Sequence, residues 1–348
     1  MSTTEFLVIE LSDLMVGQTA VCFAILSSRE TKTSKRNEPY FTCQFRAGQA
    51  MKVAQVWSNN ACHSQVSAGE TGKAYRIRVV GENRDKSYGS DLKLLEIEPA
   101  GPHHEDEGFN LDHLLAGSEI PKEKLWEELR ALVQTHVKDP CLIELLRVLM
   151  REHRELFEVL PAAQNFHHAY NSGLLEHVWS LAKVCSLVAD HYLAYYPKLN
   201  PPLNKDLIMV AAIVHDIGKL KELNYDLFDT TYTVPGQLLG HIVMGRDMVR
   251  DAAKRIPGFS EETLMLLEHA ILAHHGKREF GSPVFPATLE ALIVSFGDDL
   301  DAKMNAGVQA LMATRPDNQA FTDRIKAFEG RTLYRGVPLE NPAAGDFE

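Results

Sequence analysis

Cysteine is scarce and scattered. Cys22, Cys43, Cys62, Cys141 and Cys185 are the only five in 348 residues, and no two form a Cys-x-x-Cys pair. An odd, dispersed set argues against a disulfide framework and a structural zinc site, and it fits a reducing, cytoplasmic setting. Long hydrophobic runs are missing too. No apolar stretch reaches the roughly 20 residues a membrane helix needs, so no membrane partner is expected. The opening residues carry Glu5 and Glu10 through their apolar stretch and lack a basic start, so no secretory signal is expected. Positive charge is also in short supply: 36 Lys and Arg against 47 Asp and Glu leave a net charge of −11. That balance disfavours a protein that coats nucleic acid in bulk. The deficit is uneven, however. Residues 1–100 hold 12 basic against 11 acidic side chains, and the remainder 24 against 36. Only the N-terminal third has basic character to offer a polyanion, and bound metal would offset part of the acidity elsewhere.

Two patterns divide the chain. Residues 1–100 alternate short runs rich in Val, Ile, Phe and Tyr with polar turns, which predicts strands over Thr19–Leu26, Tyr40–Arg46, Met51–Trp57, Ala74–Val80 and Leu92–Glu98. Five strands in this length suit a small Greek-key barrel of the OB type; another five-stranded barrel used only for contacts is the alternative. Residues 101–122, opening on Gly101-Pro102-His103-His104-Glu105-Asp106-Glu107-Gly108, are expected to form a linker whose histidines lie in a solvated acidic loop without a metal role. From residue 123 to 330 apolar residues recur at helical spacing. They predict helices over Leu125–Val137, Leu142–Leu160, Leu174–Tyr195, Lys205–Leu220, His241–Arg255, Glu261–His274, Thr288–Met312 and Thr322–Phe328, with prolines between them. Residues 331–348 carry Pro and Gly without periodicity and read as a tail. The fold class expected is therefore multidomain: an all-β barrel followed by an all-α domain.

The helical part carries an ordered series of metal-type donors. His177, the pair His215-Asp216, His241, the pair His274-His275 and Asp298 all lie beside apolar turns of separate helices. Taken singly, each histidine is more often a satisfied core residue, and a lone His-Asp pair reads as a helix end with a capping Asp. Together they can fill two metal sites. Imidazoles and carboxylates favour manganese, iron or cobalt, with zinc and magnesium as alternatives, and one carboxylate can bridge two ions. Two metals about 3.5–4 Å apart are the usual device for attacking a phosphoester with a metal-activated hydroxide. The run Leu207–Val214 ahead of His215-Asp216 is strongly apolar, so that pair is costly unless liganded. Lys219 falls three residues after Asp216, on the same helical face, where it can neutralise a substrate phosphate.

The order His … His-Asp … His … His-His … Asp resembles the two-metal members of the HD superfamily of phosphohydrolases. Longer blocks resemble the YhaM family of 3′-5′ exoribonucleases: Asn165-Phe166-His167-His168-Ala169-Tyr170-Asn171-Ser172-Gly173-Leu174-Leu175-Glu176-His177, Gly236-Gln237-Leu238-Leu239-Gly240-His241-Ile242, and His274-His275-Gly276-Lys277 through Pro283. The stretch from Leu289 through Asp298-Asp299-Leu300-Asp301-Ala302-Lys303 is similar as well. That family carries an N-terminal OB domain. The resemblance implies that His177, His215, Asp216 and Asp298 hold one metal and His241, His274 and His275 the second, with Asp216 bridging. It implies Asp216 and Lys219 as the catalytic pair, Lys219 contacting the scissile phosphate, and His167 and His168 as substrate contacts. Arg246 and Lys277 are weaker candidates for phosphate contact, each reading more readily as a surface charge. In the barrel Lys32, Lys35, Arg36, Tyr40, Trp57 and Tyr88 are the candidates for holding a single strand, whereas Phe41 reads as core. The activity implied is hydrolysis of single-stranded RNA, and of DNA if the site tolerates it, to nucleoside 5′-monophosphates. The alternative is an HD-type hydrolase of a nucleotide or cyclic dinucleotide whose barrel serves assembly. Homo-oligomerisation is left open.

Overall fold

A computed structural model of the chain describes residues 7–336 except 35, 49, 85–86, 88, 115–116, 119, 163–169, 227–228 and 313–319. Lys35, Tyr88, His167, His168 and residues 337–348 of the expected tail therefore lie outside the described residues. Two compact units emerge, residues 1–117 with 224–231, and residues 118–223 with 232–348.

The first unit is a closed barrel of five strands: β1 (Thr19–Thr33), β2 (Pro39–Ala47), β3 (Ala50–Trp57), β4 (Ala74–Gly81) and β5 (Leu92–Pro99), with a short helix α1 (His63–Ala68) between β3 and β4. Strand order around the barrel is β1-β2-β3-β5-β4. All pairs are antiparallel except β3 with β5, which meet in parallel through Ala54 and Leu92. Alternate residues point inward, as a two-residue period demands: Cys43, Phe45, Ala54, Val56, Ile77 and Val79 are fully buried. β1 runs well past the expected Leu26. Its first half pairs with β4, its second half with β2, and a bulge between Leu26 and Ser28 lets one strand turn the barrel corner. The extension, Ser27–Thr33, is polar and carries no alternation, so hydrogen bonding rather than burial makes it a strand.

The expected linker is partly built into this unit. Residues Pro102–Glu107 form a 3-10 turn and Leu111–Leu114 a helical turn, α2. Leu114 is buried in the barrel core, and Phe109 and Leu111 pack against it. His104 corrects the expectation of a solvated loop. It is buried, its ring lying 5.8 Å from that of Phe23. A polar octapeptide hides one inward-facing ring.

The second unit is helical: α3 (Lys122–His136), α4 (Pro140–Val159), α5 (Gly173–Tyr195), α6 (Lys205–Val214), α7 (Lys219–Glu222), α8 (Val234–Ala253), α9 (Glu261–Ala273) and α10 (Leu289–Met312). Between α7 and α8 the chain forms a hairpin of β6 (Leu223–Asp226) and β7 (Asp229–Tyr232), whose residues 224–231 group with the first unit. Starts follow local chemistry. Asp139 caps α4 ahead of Pro140, Asn204 caps α6 and Ser260 caps α9. Every residue from Leu207 to Val214 is buried. A helix apolar on all sides must sit in the centre, and α6 is packed by α4, α5, α9 and α10. Each fully buried Leu or Ile there contributes about 1.5–3 kcal/mol.

Three expectations are corrected. The helix expected over Lys205–Leu220 breaks after Val214, where tighter bonds from Ile217 N to Val214 O (3.1 Å) and Lys219 N to Asp216 O (3.0 Å) turn the chain. The stretch between the helices expected over Lys205–Leu220 and His241–Arg255, for which no element is predicted, holds the β6–β7 hairpin and the start of α8. The helix expected over Thr322–Phe328 is only a 3-10 turn at Lys326–Phe328, because Phe321 and Ile325 pair back with Tyr334 and Arg331. The first residues of the expected tail are thus the return strand of that pairing. Among the described residues no helix is long and apolar enough to cross a membrane.

Candidate metal centre

Five helices deliver the seven donors to a single cluster in the second unit. His177 lies in the second turn of α5, His215 and Asp216 at the break after α6, His241 inside α8, His274 and His275 just past α9, and Asp298 on the inner face of α10. The break within α8 matters. Gly240, at φ 74° and ψ 155°, adopts a backbone conformation that only glycine takes readily, and helix resumes at His241 in a new direction. Gly218 makes room for that turn. A Cβ on it would stand 1.9 Å from the His241 carbonyl oxygen and 2.6 Å from Gly245 N.

The cluster is arranged around Asp216, which is only 2% exposed. Its Oδ1 faces His241 Nε2 (3.4 Å) and His274 Nε2 (3.6 Å). Its Oδ2 faces His215 Nε2 (3.3 Å) and His177 Nε2 (3.8 Å). Asp298 Oδ1 completes the second side, 3.2 Å from His177 Nε2 and 3.7 Å from His215 Nε2. The donor atoms of His241, His274 and His275 lie within 4.8 Å of one another, as do those of His177, His215 and Asp298. Lys219 Nζ donates to Asp216 Oδ2 from a nearly buried position.

All five histidines turn the same nitrogen inward. Nδ1 of His215, His274 and His275 meets the carbonyl oxygens of Ala212 (2.9 Å), Ile271 (2.7 Å) and Phe280 (2.7 Å). Nδ1 of His177 and His241 meets Asp301 Oδ2 (2.7 Å) and Glu222 Oε1 (3.1 Å). An acceptor on Nδ1 fixes the tautomer that leaves the Nε2 lone pair pointing into the cluster. Buried atoms are left over as a result: His241 Nε2, His274 Nε2 and Asp216 Oδ1 have no hydrogen-bond partner. His177 Nε2 and His215 Nε2 face each other at 3.2 Å. Inward lone pairs and a buried carboxylate with an open oxygen fit a divalent cation, which satisfies them all at once.

The electrostatics agree. Burial works to raise Asp216, but Lys219 and His215 override it and hold the carboxyl well below its usual range. Asp298 is likewise lowered against burial, by His177 and His215. Burial, reinforced by the neighbouring imidazoles, keeps His274 neutral far below its ordinary value, and burial lowers His275 as well. His177 goes the other way. Burial would depress it, yet Asp298 and Asp301 raise it to about 10. The pocket between those two carboxylates favours positive charge, and a cation can take the place of that proton.

Asp301 and Glu222 were missed as site residues at the level of sequence. Asp301 orients His177 and accepts from Ser180 Oγ. Glu222 Oε1 accepts from both Nδ1 and the backbone N–H (2.9 Å) of His241. Helical spacing carried the signal, since Asp301 falls three residues after Asp298 and Glu222 three after Lys219. Asp301→Asn and Glu222→Gln are each expected to weaken divalent-metal affinity about 10- to 100-fold, measured by calorimetric titration of the metal-free protein. Unchanged affinity in both variants would make these carboxylates bystanders.

The barrel candidates are placed separately. Tyr40 and Trp57 pair across β2 and β3 and stack with ring centroids 4.4 Å apart, both half-buried. Lys32 and Arg36 are exposed, Lys32 lying 3.3 Å from Glu30. Phe41 packs against the barrel core and stacks on His63 (4.9 Å). Of the weaker phosphate candidates, Arg246 lies beside Asp247 (3.1 Å) and exposed Lys277 beside Glu279 (3.5 Å).

A cluster of imidazoles and carboxylates inside a helical unit defines an HD-domain protein, and residues 174–303 match the HD domain family. The relatives narrow this further. The 3′-5′ exoribonuclease YhaM of Bacillus subtilis is 33% identical over 320 residues, spanning 92% of this chain and 96% of that protein. The YhaM proteins of Bacillus licheniformis and a Geobacillus species are 33% and 29% identical, covering 92% of this chain and 96% and 93% of their own lengths. The chain belongs to the YhaM family.

Proposed function

We propose that this chain is a metal-dependent 3′-5′ exoribonuclease that shortens single-stranded RNA to nucleoside 5′-monophosphates. The observation that carries the reading is the division of Asp216: one oxygen faces His241 and His274, the other His177 and His215. In this reading His177, His215, Asp216 and Asp298 hold one divalent ion, and His241, His274 and His275 with the second oxygen of Asp216 hold another. Manganese, iron or cobalt suits this donor set best. Bound divalent ions lower the pKa of water and neutralise charge on phosphoryl oxygens.

The chain's own groups do the rest. Asp301, Glu222 and three backbone carbonyls hold the imidazoles in one tautomer, so the donors need no reorganisation during the reaction. Lys219 brings a fixed ammonium to the Asp216 side of the cluster, where it stabilises the charge that builds on a scissile phosphate. The barrel holds the upstream strand, Lys32 and Arg36 on its backbone and Tyr40 and Trp57 as a stacking platform. Lys35, Tyr88, His167 and His168 remain candidates for the same strand. Five free cysteines fit a reducing cytoplasm.

A time course on a short 5′-labelled single strand, as RNA and as DNA, tests the reading. The expected result is a ladder that shortens from the 3′ end with manganese and stops with chelator, faster for RNA. An uncut strand would point instead to a small-nucleotide phosphohydrolase. A chain beginning at Ser118 is expected to lose roughly 5- to 150-fold in kcat/KM on oligonucleotides, the loss of one stacked base at about 1–3 kcal/mol. Turnover of a small phosphodiester should persist in that chain; equal loss on both substrates would deny the barrel a substrate-holding role.

A further inference from the structure

The outward face of α10 is apolar along its length. Leu292, Phe296, Leu300, Met304 and Val308 follow one another at intervals of four, from 39% exposed at Leu292 to 69% at Phe296. Leu289, Leu311 and Met312 extend the stripe at its ends and are exposed as well. The flanking ion pair Lys303–Asp299 (2.6 Å) is closed on itself and offers no free charge for a partner. Exposed area over these eight side chains is on the order of 800 Å², beyond the roughly 300–600 Å² of the largest patch on a typical monomer.

We infer that this chain associates with a second copy of itself through α10. A row of residues spaced by four is a ridge, and two such ridges interlock when helices cross at about −50°. A two-fold axis makes the contact self-complementary, so the ridge packs on its own copy and the central residue, Leu300, meets itself. About 800 Å² per partner is what a standard-size interface needs. Other occupants fit less well. Residues 337–348 hold only Val337, Leu339 and Phe347 as large apolar side chains, too few to cover eight. A lipid surface would call for cations along the rim, and Lys303, the one basic residue within α10, is already paired. The inner face of this same helix carries Asp298 and Asp301, so the pairing would buttress the element that holds one side of the metal cluster.

Sedimentation velocity of the full chain across the micromolar range, with three variants, tests this. The parent is expected to sediment as a dimer or a larger even-numbered assembly. Phe296→Glu combined with Leu300→Glu is expected to halve its mass with an unchanged circular-dichroism spectrum. Leu300→Cys, which keeps the face apolar should the charged variant fail to fold, is expected to form a disulfide-linked dimer under mild oxidant. Leu187→Cys, 70% exposed on α5, should not. A monomeric parent overturns the inference. So does a folded double-Glu variant of undiminished mass, or an oligomeric Leu300→Cys protein that stays unlinked.

Discussion

Asp216→Ala is expected to abolish hydrolysis while leaving the fold intact. Among the described residues no other side chain presents an oxygen to both halves of the cluster, since Oδ1 serves His241 and His274 while Oδ2 serves His177 and His215. Losing it removes the shared anion of both cation sites, so the effect should exceed the roughly 10²- to 10³-fold cost of a single charge-stabilising donor. Folding responds differently. The carboxylate is held ionised in a buried position, so its removal lifts a desolvation cost, and the orphaned Lys219 ammonium offsets that gain. The melting temperature of the metal-free variant should stay close to that of the metal-free parent, while bound metal, read by elemental analysis, falls. Turnover retained by a well-folded variant would sink the bridging assignment.

Lys219→Met should lower kcat/KM by roughly 10²- to 10³-fold with metal content retained. Methionine keeps a long apolar stem in a site that is 7% exposed and removes only the ammonium. A fixed cation at this point is worth more than one in water, because the surrounding helices exclude solvent. Metal content separates two roles. If it stays full while turnover drops, Lys219 acts on the substrate phosphate. If metal and turnover fall together, Lys219 is a positioning residue that works through Asp216.

Reading the chain in one dimension succeeded where a local period or a residue type is itself the signal. The inward positions of the barrel follow from alternation and the buried α6 from an eight-residue apolar run; the histidines and carboxylates placed against apolar turns come together in one cluster able to hold a metal. Readings failed where pairing replaces burial. Ser27–Thr33 is strand because β2 stands beside it, and Phe321 and Ile325 leave the helical pattern because Tyr334 and Arg331 bond to them. The break between α6 and α7 was hidden for another reason: His215 and Asp216 keep helical spacing, and only the tighter bonds after Val214 turn the chain.

Composition and order along the chain were enough to specify a barrel, a helical domain and a set of donors able to take divalent metal. Those properties depend on hydrophobic periodicity and ligand chemistry, which each segment carries on its own. Which atom of each donor is used depends instead on contacts between segments far apart in sequence. Asp301 reaches His177 across 124 positions, Glu222 reaches His241 across 19, and the two oxygens of Asp216 part between four imidazoles from four different elements. A hydrogen bond is decided by distances of a few tenths of an ångström, and those distances come into being only when α5, α6, α8, α9 and α10 pack together.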